Sequence, residues 1–153
     1  MDPFMRAAID EARKGYAHSP PGIPIGSVLV IDGRIVGRGH NQRVQKRSPI
    51  LHGELDALEN AKRLKAEEYR RATIYTTLSP CHMCSGAILL YRIPRVVIAE
   101  NVTFMGAEDL LRANGVELVY EKAAEQECRD LMADFIRRFP DIWYEDIGLP
   151  GKR

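Results

Sequence analysis

One imidazole and two thiols stand where a single ion could gather them: His52, in His52-Gly53-Glu54, and the pair Cys81 and Cys84, in Ser79-Pro80-Cys81-His82-Met83-Cys84. Zinc accepts both ligand types, and a zinc held by only three protein groups keeps a fourth position for water. Cys81 follows a proline, which places it at the N-terminal end of a helix, where the helix end favours thiolate. Cys84 is one turn on, so both sulfurs can reach one ion. Two thiolates and a neutral imidazole cancel the zinc charge, and a water in the open position releases its proton far more readily than bulk water. Glu54, beside the histidine, is placed to move protons. The expected centre holds one zinc per chain on His52, Cys81 and Cys84, with Glu54 as its catalytic acid and base.

Each part alone has a plainer reading. A C-x-x-C is often half of a structural zinc site or a redox pair, and a single histidine is usually a core or surface group. A structural zinc needs a fourth protein ligand, for which His18, His40, His82 and Cys128 are the spare groups. Cys128 fits better in the apolar stripe that it forms with Leu131, Met132, Phe135, Ile136 and Phe139. His82 is expected to point away from the metal, as a surface or supporting residue. A closed, four-ligand zinc would make the chain a non-enzymatic interaction module with no use for Glu54.

The elements that must position these groups follow from periodicity. Met5, Ala8, Ile9, Ala12 and Tyr16 recur at helical spacing, ended by Gly15 and the Pro20-Pro21-Gly22 turn. Residues 27–31 and 34–38 are short strands joined by Asp32-Gly33, a two-residue hairpin signal. Gly39-His40-Asn41 is expected to leave the sheet, and the polar segment to Pro49 to run over the site as a loop. Leu55, Leu58, Ala61 and Leu64 mark a helix that starts at or just after His52. Residues two apart in a regular helix are rotated by about 200°, so His52 and Glu54 can converge only at an irregular helix entrance, which Gly53 permits. Residues 73–77 read as a strand, Pro80 opens a helix through Tyr91, and residues 95–99 read as another strand. A short helix over 109–113 stops at Asn114-Gly115, residues 116–120 form the last strand, and the Cys128–Phe139 stripe lies on a final long helix. Alternation after the hairpin predicts parallel strands with right-handed crossovers. The expected fold is a three-layer α/β/α sandwich with a mixed sheet of about five strands, in one domain over 1–153.

Composition limits the partners. Apolar residues make up 45% and charged residues 28% of 153 residues, values of a globular protein. Twenty-two basic against 21 acidic residues leave a net charge of +1, with the basic residues scattered, so no nucleic-acid partner is expected. No run approaches a membrane span, Asp2, Arg6, Asp10 and Glu11 break up any signal-peptide core, and three cysteines cannot all pair within one chain. The expected compartment is the cytoplasm.

The pairing of H-x-E with P-C-x-x-C is the signature of zinc deaminases acting on nucleobases, and the match here is complete. Beyond it, the chain resembles a fungal-type cytosine deaminase, a small zinc enzyme of the cytidine deaminase fold that acts on the free base. The likeness runs through Pro24-Ile25-Gly26, Gly37-Arg38-Gly39-His40-Asn41, Leu51-His52-Gly53-Glu54, the segment from Tyr75 to Cys81, Glu100-Asn101-Val102 and Trp143-Tyr144-Glu145-Asp146-Ile147-Gly148. It departs at Ser19-Pro20-Pro21, Pro49-Ile50, His82 and Met105-Gly106. The resemblance implies that His52, Cys81 and Cys84 bind zinc and that Glu54 shuttles protons. It further implies that Asn41, the Gly53 amide and Asp146 hold the pyrimidine, with Ile25, Phe104 and Trp143 around it, and that the enzyme is a homodimer.

An amide side chain offers a donor and an acceptor to a pyrimidine edge, and a carboxylate accepts from an N–H group. By residue type alone, Asn41 could equally be a turn residue, Phe104 a core residue and Trp143 a packing anchor. The expected reaction is hydrolysis of cytosine to uracil and ammonia. The alternative substrates are another aminated heterocycle, a purine base such as guanine, a nucleoside, or a tRNA adenosine, which the charge balance disfavours.

Overall fold

In the computed structural model, which describes residues 1–151, five strands form one sheet in the order β2-β1-β3-β4-β5. The strands are β1 (Gly26–Ile31), β2 (Arg34–His40), β3 (Ala72–Thr76), β4 (Arg95–Ile98) and β5 (Glu117–Tyr120). The β1–β2 hairpin turns at Asp32 and Gly33, both at positive φ, as a two-residue turn requires. β1 is antiparallel to β3, and β3-β4-β5 are parallel, so the sheet is mixed as expected.

Helices cover both faces. On one, α1 (Pro3–Tyr16) and α6 (Lys122–Arg138) bury Met5, Ile9, Ala124 and Cys128 against Val28, Tyr75 and Val97. On the other, α2 (Gly53–Ala61), α4 (His82–Leu90) and α5 (Glu108–Ala113) place Leu58, Ile88 and Leu111 against Leu29, Ile74, Val96 and Ile98. The alternation along each strand sends successive side chains to opposite layers. A third apolar cluster closes one end of the sheet, where Ile23, Ile25, Leu78, Met132 and Phe135 surround Trp143 of α7 (Pro140–Asp146).

Several boundaries correct the sequence expectation. β2 does not leave the sheet at Gly39: Gly39 pairs with Ser27 and His40 with Gly26. Gly39, which suggests an exit, and Gly37 within the strand serve a different end. A Cβ on Gly37 would stand 2.3 Å from the Ala57 carbonyl oxygen, and one on Gly39 2.6 Å from the Ala57 amide, so their absence lets α2 lie directly on the strand. The same close approach makes Glu54, Asp56 and Ala57 the buried face of α2 and leaves Leu55 and Leu58 half-buried. α2 also ends at Ala61, because Lys62 takes φ +62, and Leu64 lies beyond it. Two short helices carry no periodicity long enough to read: α3 (Ala66–Tyr69) and α7. α4 starts at His82 and stops at Leu90, slightly inside the range expected from Pro80 to Tyr91.

Candidate active site

Two helix starts supply the ligand atoms. His52 is the N-cap of α2, in extended conformation at φ −62 and ψ 164, and Cys81 is the N-cap of α4, at φ −67 and ψ 176. Leaving the helical path at His52 is what lets its ring and the Glu54 side chain converge. Gly53 passes so close to β1 that a Cβ there would lie 3.0 Å from the Ile25 carbonyl oxygen. His52 Nδ1 lies 3.4 Å from Cys81 Sγ and 3.8 Å from Cys84 Sγ. A tetrahedral zinc with Zn–S of ~2.3 Å and Zn–N of ~2.05 Å sets that separation at about 3.6 Å, between the two observed values. The three ligand atoms all lie within 4.8 Å of one another, and among the described residues no fourth His, Cys, Asp or Glu joins this group.

The spare ligands are elsewhere. His18 and His82 are exposed, Cys128 is 2% exposed in the α1–α6 layer, and His40 is buried with Nδ1 3.2 Å from the Asn41 carbonyl oxygen. His52 Nε2 faces Asp146 Oδ2 at 3.5 Å, which sets a carboxylate beside the ring nitrogen that does not face the sulfurs.

The electrostatics of the metal-free chain match the donor set. The Cys81 thiol is pulled down to about 4, first by its hydrogen bond with Cys84 and then by His52, against its burial. Cys84 keeps its proton, pushed well up by the same bond and by burial. Burial works to lower the His52 pKa, but the Cys81 hydrogen bond and the Asp146 and Glu54 charges raise it to about 9. Glu54, 3% exposed, is pushed up to about 7 by burial and then by the Cys81 charge. A carboxyl group with a pKa near neutrality can both give and take a proton, which is what a shuttle needs.

Beside the ligands is a small pocket lined by Ile25, His52, Glu54, Leu78, Ser79, Cys81, Phe104, Trp143, Asp146 and Ile147. Phe104 and Trp143 meet edge to face with ring centroids 6.3 Å apart. Seven of the ten residues expected at the site therefore line this cavity; Cys84 is buried behind Cys81, and Asn41 and Gly53 are not in the lining. The Asn41 side chain is fully buried, with Nδ2 donating to Asp146 Oδ1 at 3.0 Å and Oδ1 accepting from the Arg43 amide at 3.0 Å.

Residues 1–100 match the family model described as the cytidine and deoxycytidylate deaminase zinc-binding region. The chain belongs to this deaminase family. A cytosine deaminase of Candida albicans is 56% identical to this deaminase over 145 residues, covering 94% of each chain. A tRNA-specific adenosine deaminase of Streptococcus pyogenes is 38% identical over 143 residues, covering 88% of this chain and 89% of its own. A solved tRNA:A34 deaminase superposes with a TM-score of 0.67 at 28% identity, covering 84% of this chain and 97% of its own. The cofactor of this deaminase is zinc, and the triad of ligand atoms at tetrahedral spacing fits it.

Two features of the site carried no signal in the sequence. Arg43 reaches the site from the loop after β2 and is anchored on α7. Glu108, 2% exposed, accepts a 2.5 Å hydrogen bond from Ser79 Oγ and another from Tyr120, and so braces the turn that presents Cys81.

Proposed function

We propose that this deaminase hydrolyses free cytosine to uracil and ammonia, with residues 1–153 acting as one catalytic domain. The observation that carries the reading is that buried Glu54 opens onto the same small cavity as His52 and Cys81, with the Asp146 carboxylate on its wall. The 56% identity to a cytosine deaminase supports the choice of base.

His52, Cys81 and Cys84 would hold the zinc, which would supply a water acidic enough to be deprotonated near neutral pH and so become the nucleophile. Glu54 takes one proton from that water and gives it to the ring nitrogen, then takes the second from the new hydroxyl on the attacked carbon and gives it to the amine, which leaves as ammonia while the carbonyl forms. Asp146 accepts from the ring N–H opposite, Asn41 and the Gly53 amide complete the polar edge, and Ile25, Phe104 and Trp143 enclose the ring. Gly53 is in the first turn of α2, where backbone amides have no partner within the helix, which supports this role. Asn41 serves partly through its bond to Asp146. A ribose at the position of the Asp146 partner would displace that hydrogen bond and collide with α7, so nucleosides are excluded.

We further propose a homodimer. The outer groove between α2 and α4 exposes Ile50, Leu90 and Tyr91 at 54%, 71% and 42%, next to half-buried Leu55 and Leu58, and a face of this kind is what pairing would cover. No helix among the described residues is long and apolar enough to cross a membrane, and all three cysteines are free, which supports action in the cytoplasm.

Ammonia release from a panel of bases and nucleosides by the zinc-loaded protein tests the reading. Cytosine should be the preferred substrate; preference for guanine, a nucleoside or a tRNA adenosine would overturn it.

A further inference from the structure

Arg43 joins the loop between β2 and α2 to the end of α7, 102 positions away in sequence at Glu145. Its Nη1 and Nη2 donate to the two Glu145 carboxylate oxygens at 2.8 and 2.5 Å, and Nη1 also lies 3.3 Å from Asp146 Oδ1. Its Nε donates to the Pro49 carbonyl oxygen at 3.1 Å, and its amide donates to Asn41 Oδ1 at 3.0 Å. The side chain thus binds Pro49, near the end of the loop between β2 and α2, and both acidic residues at the end of α7, while the backbone amide binds Asn41 at the loop's start.

We propose that Arg43 is a positioning residue: it latches α7 over the pocket and sets the Asp146 carboxylate, so that its pairing with Glu145 controls how tightly the base is held. The inference rests on the proposed reaction for its kinetic part only. An exposed ion pair would carry little weight, but this one is two-pronged and its arginine side chain is 11% exposed. Only the Glu145 side, at 65%, faces solvent. A planar fork is required, because a single ammonium cannot span two carboxylate oxygens while its stem also donates to Pro49.

α7 is seven residues long, follows α6 through Phe139 at φ −138 and ψ 61, and packs Ile142, Trp143 and Tyr144 into the end cluster. Apolar packing holds α7 around Trp143, and at its end Arg43 holds Glu145 and, together with Asn41 Nδ2, Asp146. Without the Arg43 side chain the end of α7 keeps the Asn41–Asp146 hydrogen bond but loses its charged tether, and the Asp146 carboxylate is less firmly set.

Trp143 is the chain's one tryptophan, so its fluorescence reports on α7 directly. The zinc-loaded enzyme, Arg43→Ala, Arg43→Lys, Glu145→Gln and the double variant Arg43→Ala/Glu145→Gln are to be compared in three ways. These are acrylamide quenching without substrate, steady-state turnover of cytosine, and thermal midpoint with zinc content. Arg43→Ala should make Trp143 more quenchable and red-shifted. It should raise KM roughly tenfold, the equivalent of one lost charge-assisted hydrogen bond, with zinc retained. Glu145→Gln should move the same readouts in the same direction, Arg43→Lys should be intermediate, and the double variant should be no worse than Arg43→Ala alone.

Unchanged quenching, or a lowered midpoint with KM untouched, would overturn the proposal, as would single effects that multiply in the double variant. If the unmodified enzyme prefers another substrate, the proposed reaction fails while the quenching comparison still decides the latch.

Discussion

Replacing Glu54 by glutamine separates its chemistry from its place in the fold. The change keeps size and shape but removes the transferable proton. One positioned acid–base group contributes about 10² to 10⁴ in rate, and the proposed reaction gives Glu54 two transfers, so kcat should fall by roughly 10⁴ or more. The stability effect has the opposite sign. The buried carboxyl of the metal-free chain has its pKa raised from 4.5 to about 7, so the folded state holds a proton that the unfolded state has lost. Its folded form is therefore penalised progressively as pH rises from 4.5 through 7, by roughly 3 kcal/mol at the top of that range. Glutamine escapes the penalty. Metal-free Glu54→Gln should melt at or above the unmodified chain at pH 8, with the advantage shrinking towards pH 5. The assay is ammonia release by zinc-loaded protein, beside thermal melts of metal-free protein and zinc analysis. Near-normal turnover, or loss of zinc, would refute the shuttle role.

Three other outcomes follow from the same geometry. Zinc binding must drive protons from His52, near 9, and from Cys84, while Cys81 is already ionised above about 4; affinity should fall with pH by up to a decade per proton released, measured by chelator competition at pH 6 and 8. Cys128→Ser should leave zinc content unchanged and lower stability by about 1–3 kcal/mol, through a hydroxyl buried between α1 and α6; a loss of zinc would contradict its assignment to the core. Glu127 is held down to about 2 by hydrogen bonds from Arg6 and Arg13, which tie α6 to α1. Its contribution is present above the ordinary carboxylate range and lost as pH falls towards 2, worth about 1 kcal/mol given the half-exposed arginines, and Glu127→Gln should flatten that part of the acid melt.

The metal ligands were legible because zinc chemistry restricts both residue type and spacing, and because Pro80 and Gly53 mark the helix starts that bring them together. The layers were legible for a similar reason: the α1, α6 and strand patterns have to bury one face. Legibility failed where a local signal served a distant neighbour. Gly39 looks like a strand exit, yet it is, with Gly37, a place where α2 touches β2. Lys62 ends α2 by a positive φ that its residue type does not announce. Arg43 pairs with Glu145 across 102 positions of sequence, and no periodicity links two such residues. The expected Asn41 contact with the base came from the family resemblance, whereas its buried bond to Asp146 depends on α7, a helix too short to show a pattern.

Hydrolysis of the free base in preference to its nucleoside is decided by kcat/KM for cytosine and for cytidine on the same zinc-loaded protein, with products identified. Asp146 faces a small cavity closed by Trp143, and a site that hydrogen-bonds a substrate N–H can reject an analogue lacking it by about 10⁴. The prediction is one uracil and one ammonia per cytosine consumed, dependent on zinc, with cytidine disfavoured by that order. Comparable constants for the two substrates would contradict it.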